Sequence, residues 1–284
     1  MPRFRRGLFL SQWFRLDGLD LAGAIALKHY GADMSSIRTQ PHSKARLNAI
    51  RILAFGMLAI LPTTSSSAQQ NPPIAEQIAK AYGLDSFGQI EAIRYTWNVE
   101  FPAGQISNTW EWNPKTDTVS YEGKDKEGKP VKATYQRSQI ESQSDAIKKE
   151  VDPAFANDQY WLLLPFHIAW DGATITDEGV QKMPLSGRFA ERIVAKYASD
   201  GGYQPGDTWD LYVGADKRIA EIVYHRGADN PPKLVMAAYT DYKQAGPLLV
   251  SMDHRGTVDG KPFRIWISDV SVKMAGSDKW IDAQ

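Results

Sequence analysis

The sequence predicts a mainly β fold: one large antiparallel sheet curled on itself as a half-barrel, with an N-terminal helix and a helical lid segment. Three observations lead there. From Gln89 onward apolar residues recur with a period of two through a long succession of short segments. Gly, Asn, Asp and Pro clusters punctuate those segments at short intervals, as hairpin turns do. One run, Asp158 to Gly172, departs from this texture and carries the densest aromatic and aliphatic content beyond the first 68 residues.

The first 68 residues read as an address. Leu53 to Pro62 is a short apolar core preceded by Lys44, Arg46 and Arg51 and followed by Thr63-Thr64-Ser65-Ser66-Ser67-Ala68. A basic region, a short apolar core and small residues before a cleavage point form a secretory signal peptide, here over 34–68 with cleavage after Ala68. The apolar run is short for a membrane span, which needs roughly 20 residues. Residues 1–33 do not fit a signal, and Met34 is the natural start, so the upstream stretch reads as a gene-start artefact or an extension. Periplasmic or secreted localisation is the expectation, with 69–284 as a single domain.

The segment 1–68 holds nine Lys or Arg and three Asp or Glu, so the balanced chain becomes acidic once it is removed. No basic run remains in 69–284 to neutralise phosphates, which argues against nucleic acid and against anionic lipid surfaces. The chain has no cysteine, hence no disulfides and no thiol for a lipid anchor, and a packed core must hold it together.

Asn71 to Gly83 reads as a short amphipathic helix, with Ile74, Ile78, Ala81 and Tyr82 on one face and Gly83 ending it. Ile90 to Phe101 alternates, with Ile93, Tyr95, Trp97, Val99 and Phe101 on one face. Strands at 105–112, 119–122 and 131–137 complete a four-stranded meander. Residues 140–164 form a broken helical connection whose most apolar turn comes last. Pro165 is expected to stop that helix, and Trp170-Asp171-Gly172 to turn the chain. Strands resume near 173–178, 187–197, 207–213, 218–226, 233–242, 247–254 and 262–274. Asp259-Gly260 is a type I′ hairpin signal.

The chemistry-bearing residues are sparse. Beyond residue 68 the histidines are His167, His225 and His254, none at metal-ligand spacing from another candidate ligand. His167 and Asp171 stand four apart, but with Pro165 and Gly172 expected to break the helix the spacing implies no shared face. Asp253 and His254 are neighbours in a strand and so point to opposite faces. There is no Gly-x-Ser-x-Gly, no phosphate-binding glycine loop and no nucleophilic cysteine. No catalytic residue, metal or cofactor is expected. The positive signal is aromatic: eight of nine tryptophans lie beyond residue 68. Tyr160, Trp161, Leu163, Leu164, Phe166 and Trp170 in the central run, with Trp97, Trp209 and Trp266 from the strands, are candidates to line an apolar cavity or its lid. They serve equally as core filling, and a sugar-binding face is a third use of such residues.

This layout over 70–284 resembles the periplasmic lipoprotein-carrier superfamily, the Lol-type carriers and their mycobacterial lipid-carrier relatives. Asn157-Asp158-Gln159-Tyr160-Trp161-Leu162-Leu163-Leu164-Pro165 also resembles the shared core of a group of uncharacterised envelope proteins. The resemblance implies a half-barrel whose apolar concave face is covered by helices and holds acyl chains, with an Arg in the cavity that holds and releases cargo. No Arg of this chain matches that one by position. The expected partner is a hydrophobic small molecule or a lipoprotein acyl chain, with an envelope protein as a further partner. The alternatives are an envelope hydrolase using His167 with Asp171 or Asp158, and a non-enzymatic interaction module.

Overall fold

A computed structural model describes residues 73–284, apart from 126, 200–204 and 228–232. The extension and signal peptide expected over 1–68 lie outside the described residues. Helix α1 (Ile74–Ala81) leads through Gly83 into the single turn α2 (Leu84–Phe87). Gly83 adopts φ +105, and a Cβ there would lie 2.1 Å from the Pro247 carbonyl oxygen, so two separate constraints require glycine. The preceding Tyr82 is buried, and its hydroxyl accepts from the Ile219 amide and meets the Tyr242 hydroxyl at 2.8 Å.

All strands among the described residues join one antiparallel sheet. The first meander is β1 (Ile90–Phe101), β2 (Gly104–Asn113), β3 (Thr118–Lys124) and β4 (Pro130–Gln136). A second comprises β5 (Thr174–Lys182), β6 (Phe189–Lys196), β7 (Thr208–Val213), β8 (Ile219–His225) and β9 (Leu234–Ala238). Then follow β10 (Thr240–Ala245), β11 (Leu248–Val258), β12 (Lys261–Met274) and β13 (Trp280–Asp282). The order is β4-β3-β2-β1-β12-β11-β9-β8-β7-β6-β5, with β10 on β11 and β13 on β12, and the sheet does not close. Its two meanders therefore join through the β11–β12 hairpin, with β1 pairing β12 across the length of the domain and β11 pairing β9.

Period-two burial follows from this pairing. Tyr95, Trp97 and Val99 of β1 face inward beside Ile265 and Ile267 of β12, while Asn98 faces outward beside Trp266. The hairpin at Asp259 (φ 48) and Gly260 (φ 83) has both central residues at positive φ, as a type I′ turn requires. Two strand expectations need correction. The stretch 233–242 is not one strand: it breaks at Tyr239, where the chain leaves β8 and β9 to pair with the other end of β11. The short β13 carries no alternating pattern and is held by pairing with β12 alone.

The larger correction concerns the middle of the chain. After a 3-10 turn (Arg137–Ser142) and a π turn (Ile147–Val151), helix α3 runs Asp152–Trp170, straight past Pro165. The conflict is relieved two residues earlier, where Leu163 leaves helical geometry (φ −115, ψ 17). The kink makes Pro165 an early residue of a new helical segment, where a missing N–H costs little. Nearly every α3 residue from Asp152 to Ile168 is buried, Asn157 being half-exposed. A helix apolar on all sides belongs in the middle of a domain, and α3 has the sheet on one side and α1 on another. No helix among the described residues is long and apolar enough to cross a membrane.

Candidate functional site: an apolar cleft beside the central helix

The N-terminal half of α3 meets the inner face of the sheet along a seam that holds an apolar cleft. Its lining is Trp97, Val99 and Phe101 of β1, Phe263 and Ile265 of β12, Val235 of β9, Val258 of β11, and Asn157 and Trp161 of α3. The strands supply one wall through alternate residues of a ladder, Val99 lying opposite Ile265. Counting the solvent at its mouth the cleft holds about 360 Å³ of empty space, of which the centre of a water-sized molecule could sweep only about 30 Å³. A ligand pocket is typically ~300–1,000 Å³. This is a slit that has to widen to admit an acyl chain.

The polar anchorage of α3 sits beside the slit. Asp158 is completely buried, and its Oδ2 accepts from Asn108 Nδ2 (2.8 Å) and Trp110 Nε1 (2.9 Å) while Oδ1 accepts from Asn157 Nδ2 (3.0 Å). Burial pushes its pKa up to about 7, against the lowering effect of those three donors. Tyr121 extends the network by donating to Asn108 Oδ1 at 3.2 Å. The helix is thus tied to β2 and β3 at the same residue pair, Asn157 and Asp158, that borders the cleft.

Of the residues singled out from sequence, Trp97 and Trp161 line this cleft. Trp209 and Tyr160 stack 5.8 Å apart on the far side of Trp161, from which Trp209 stands 6.5 Å. Leu163 and Leu164 are completely buried core residues. Phe166 and Trp170 pack on each other and on Phe87 of α2, at 5.1 and 4.8 Å from it. Trp266 does not join them. It lies on the outer face with Asn98 and Asp253 as cross-strand partners and the Arg264 guanidinium 4.9 Å over its ring, because it alternates with the inward Ile265 and Ile267. Sequence reasoning passed over Val99, Phe101, Phe263 and Ile265 as lining, although the first two share the period-two face of Trp97.

His167 corrects another expectation. Because α3 continues past Pro165, the four-residue spacing does place two side chains together, and His167 Nδ1 lies 2.9 Å from Asp171 Oδ2. The Tyr160 hydroxyl donates to the same carboxylate at 3.1 Å and lies 2.8 Å from the Tyr197 hydroxyl, with its ring stacked 4.0 Å over the imidazole. The remaining nitrogen, Nε2, is buried and has no hydrogen-bond partner among the described residues. The imidazole is thus held between Asp171 and the Tyr160 ring, and the Tyr160 hydroxyl links α3 to Tyr197, just past the end of β6. Asp253, half-buried, pairs with Arg255 and Arg264 on the outer face and His254 is buried on the inner one, as neighbours in a strand must be. Among the described residues no cluster of three His, Cys, Asp or Glu is placed to hold a metal.

No family model matches the chain, and no curated protein does. Solved structures that it resembles include a DUF1329 family protein from Desulfovibrio piger (10% identity, TM-score 0.39, covering 72% of this chain and 94% of that one). A putative outer membrane lipoprotein-sorting protein domain from Vibrio parahaemolyticus shares 9% identity at a TM-score of 0.41, covering 72% of this chain and 93% of that one. A LolA superfamily protein from Nitrosomonas europaea shares 7% identity at 0.41, covering 70% and 93%.

Proposed function

We propose that this protein is an exported carrier that takes up a lipid-like ligand between α3 and the inner face of its sheet, in the periplasm or another envelope compartment. The observation that supports it is the slit at the helix–sheet seam, lined by eight apolar side chains and one amide. A permanently packed core has no use for an opening there, whereas a carrier needs a wall that can part. Export rests on the signal peptide expected over 34–68.

The test is uptake of a fluorescent fatty acyl probe by delipidated protein. Saturable binding with Kd in the micromolar range or below is expected, and its absence sinks the reading. Trp161→Ala is expected to weaken uptake by about tenfold, while Trp280→Ala changes it by less than about twofold. Trp280 covers the Arg94 guanidinium at 4.2 Å on the outer face, remote from the slit. Phe166→Ala is expected to weaken uptake too, through the packing of α3 on Phe87.

Movement of α3 has its own signature. Ligand is expected to slow amide hydrogen exchange in 155–170 more than in the strands from 208 to 274, because segments of low local stability respond most. If 155–170 already exchanges as slowly as the central strands and ligand changes nothing, the helix is a fixed core element and the slit does not open.

A second reading, an interaction module, draws on a different surface. Val180 and Phe189 are 70% and 71% exposed on the outermost hairpin, β5–β6, and lie diagonally across one face of it. An envelope protein could cover them without involving the slit.

A further inference from the structure

Behind Trp161 the cleft wall has a polar backing. His254, on the inner face of β11, is completely buried, and neither ring nitrogen has a hydrogen-bond partner among the described residues. Tyr239 stands beside it with ring centroids 4.2 Å apart, itself buried and with a hydroxyl that has no partner among the described residues. The two meet where the ladder is interrupted: β11 pairs with β10 at Asp253 and Thr240 and with β9 at Gly256 and Ala237, leaving His254 and Tyr239 at the junction. The Trp161 ring, which forms part of the cleft lining, stacks on both, 5.6 Å from His254 and 6.3 Å from Tyr239. Ile265, cross-strand partner of His254, lines the cleft as well. One aromatic ring therefore separates the slit from two buried polar side chains.

Buried polar groups without partners destabilise a fold, so a pair of them beside a binding slit points to a partner that arrives with the ligand. The surroundings restrict what that partner is. The cleft lining contains no cation, and the amide of its one polar residue, Asn157, is already committed to the Asp158 carboxyl. Burial lowers the His254 pKa to about 3, against the raising effects of Asp253 and the nearby Ser251 backbone, so the imidazole is neutral. A carboxylate or phosphate head would enter this site unpaired, which is costly. A hydroxyl, ester or amide would find both a donor and an acceptor in a neutral imidazole and a phenol.

We propose that the ligand is a long-chain lipid with an uncharged hydrogen-bonding head group, which packs against the Trp161 ring and reaches past its edge to bond to His254 and Tyr239. This rests on the carrier reading and names the ligand class for the same cleft.

The experiment uses the purified chain and competition against bound N-phenyl-1-naphthylamine, with dodecan-1-ol, dodecanoate at pH 8 and dodecane as competitors. Dodecanol is expected to bind at least about tenfold more tightly than dodecanoate. Tyr239→Phe is expected to weaken dodecanol about fivefold while leaving dodecane within about twofold, without lowering Tm, since it removes only an unpartnered hydroxyl. His254→Phe, the more intrusive change, is expected to act in the same direction. Equal affinity for alcohol and carboxylate, or a Tyr239→Phe variant that binds dodecanol as the parent does, overturns the proposal and leaves the carrier reading standing. The second of those outcomes would mean that the two side chains hold buried water. If the naphthylamine itself does not bind, the carrier reading and this proposal fall together.

Discussion

Asp158→Leu is expected to destabilise the fold by about 3–5 kcal/mol, measured by urea unfolding at pH 7 with tryptophan fluorescence. The substitution leaves the Asn108 and Asn157 amides and the Trp110 indole N–H without their acceptor inside the protein. Asp158→Asn is a different experiment, because its amide oxygen keeps an acceptor for Trp110 and Asn108 and nothing titrates. The parent carboxyl has a pKa near 7 in the fold, while an unfolded Asp titrates near ~3.9. An acid whose pKa is raised by folding contributes its stability in full below the unfolded value. That contribution declines as pH rises through the window from about 4 to about 7, because the unfolded chain releases the proton first. The gap corresponds to something on the order of 4 kcal/mol. Asp158→Asn should therefore gain on the parent by a few kcal/mol between pH 4 and pH 8. Asp210 and Asp253, whose partners hold their carboxyls below the usual range against the opposing effect of burial, act the opposite way and cancel in this difference. A pH-independent gap would show that Asp158 does not carry the titration, and a loss below about 1 kcal/mol in Asp158→Leu would show that the network is not holding α3.

Arg137→Ala is expected to cost a similar amount, about 3–5 kcal/mol, by the same denaturation measurement. Arg137 Nε donates to Asp152 Oδ1 at 2.7 Å, and both side chains are almost wholly buried, at 7% and 6% exposure. Tyr135 donates to the same oxygen at 3.0 Å, and the guanidinium lies 5.1 Å over the Phe155 ring. Removing Arg137 strands a carboxylate in the interior, inside continuous helical backbone where no free helix N-terminus offsets the loss. Converting both partners together, Arg137→Met with Asp152→Leu, is expected to recover most of the stability, because a buried pair exceeds an apolar substitute by little. If the double variant is as unstable as Arg137→Ala, packing around Phe155 and not the charge pair is what matters.

Much of the sheet was legible in the chain, and the reason is local. The strict alternation from Ile93 to Phe101 determines which face of β1 is buried, because successive side chains of a strand must point to opposite sides. Asp259-Gly260 similarly carries its own turn geometry, and Gly83 its own helix end. The aromatic run was legible as buried, since a segment from Tyr160 to Phe166 that apolar has no stable place in water.

Tertiary structure alone decided three things. Pro165 is a helix breaker by local rules, yet α3 continues, because the kink at Leu163 and burial of nearly the whole segment outweigh a single lost hydrogen bond. That continuation brought His167 to Asp171, a contact that helical spacing permits only if the helix exists. The position of Trp266, outside while Trp97 is inside, depends on the register of β12 against β1, and a one-residue slip would exchange it with Ile265. The meeting of His254, Tyr239 and Trp161 was beyond the sequence altogether. Those residues come from β11, the β9–β10 junction and α3, and only the pairing of distant strands under a buried helix puts polar groups unpartnered among the described residues behind the wall of an apolar slit.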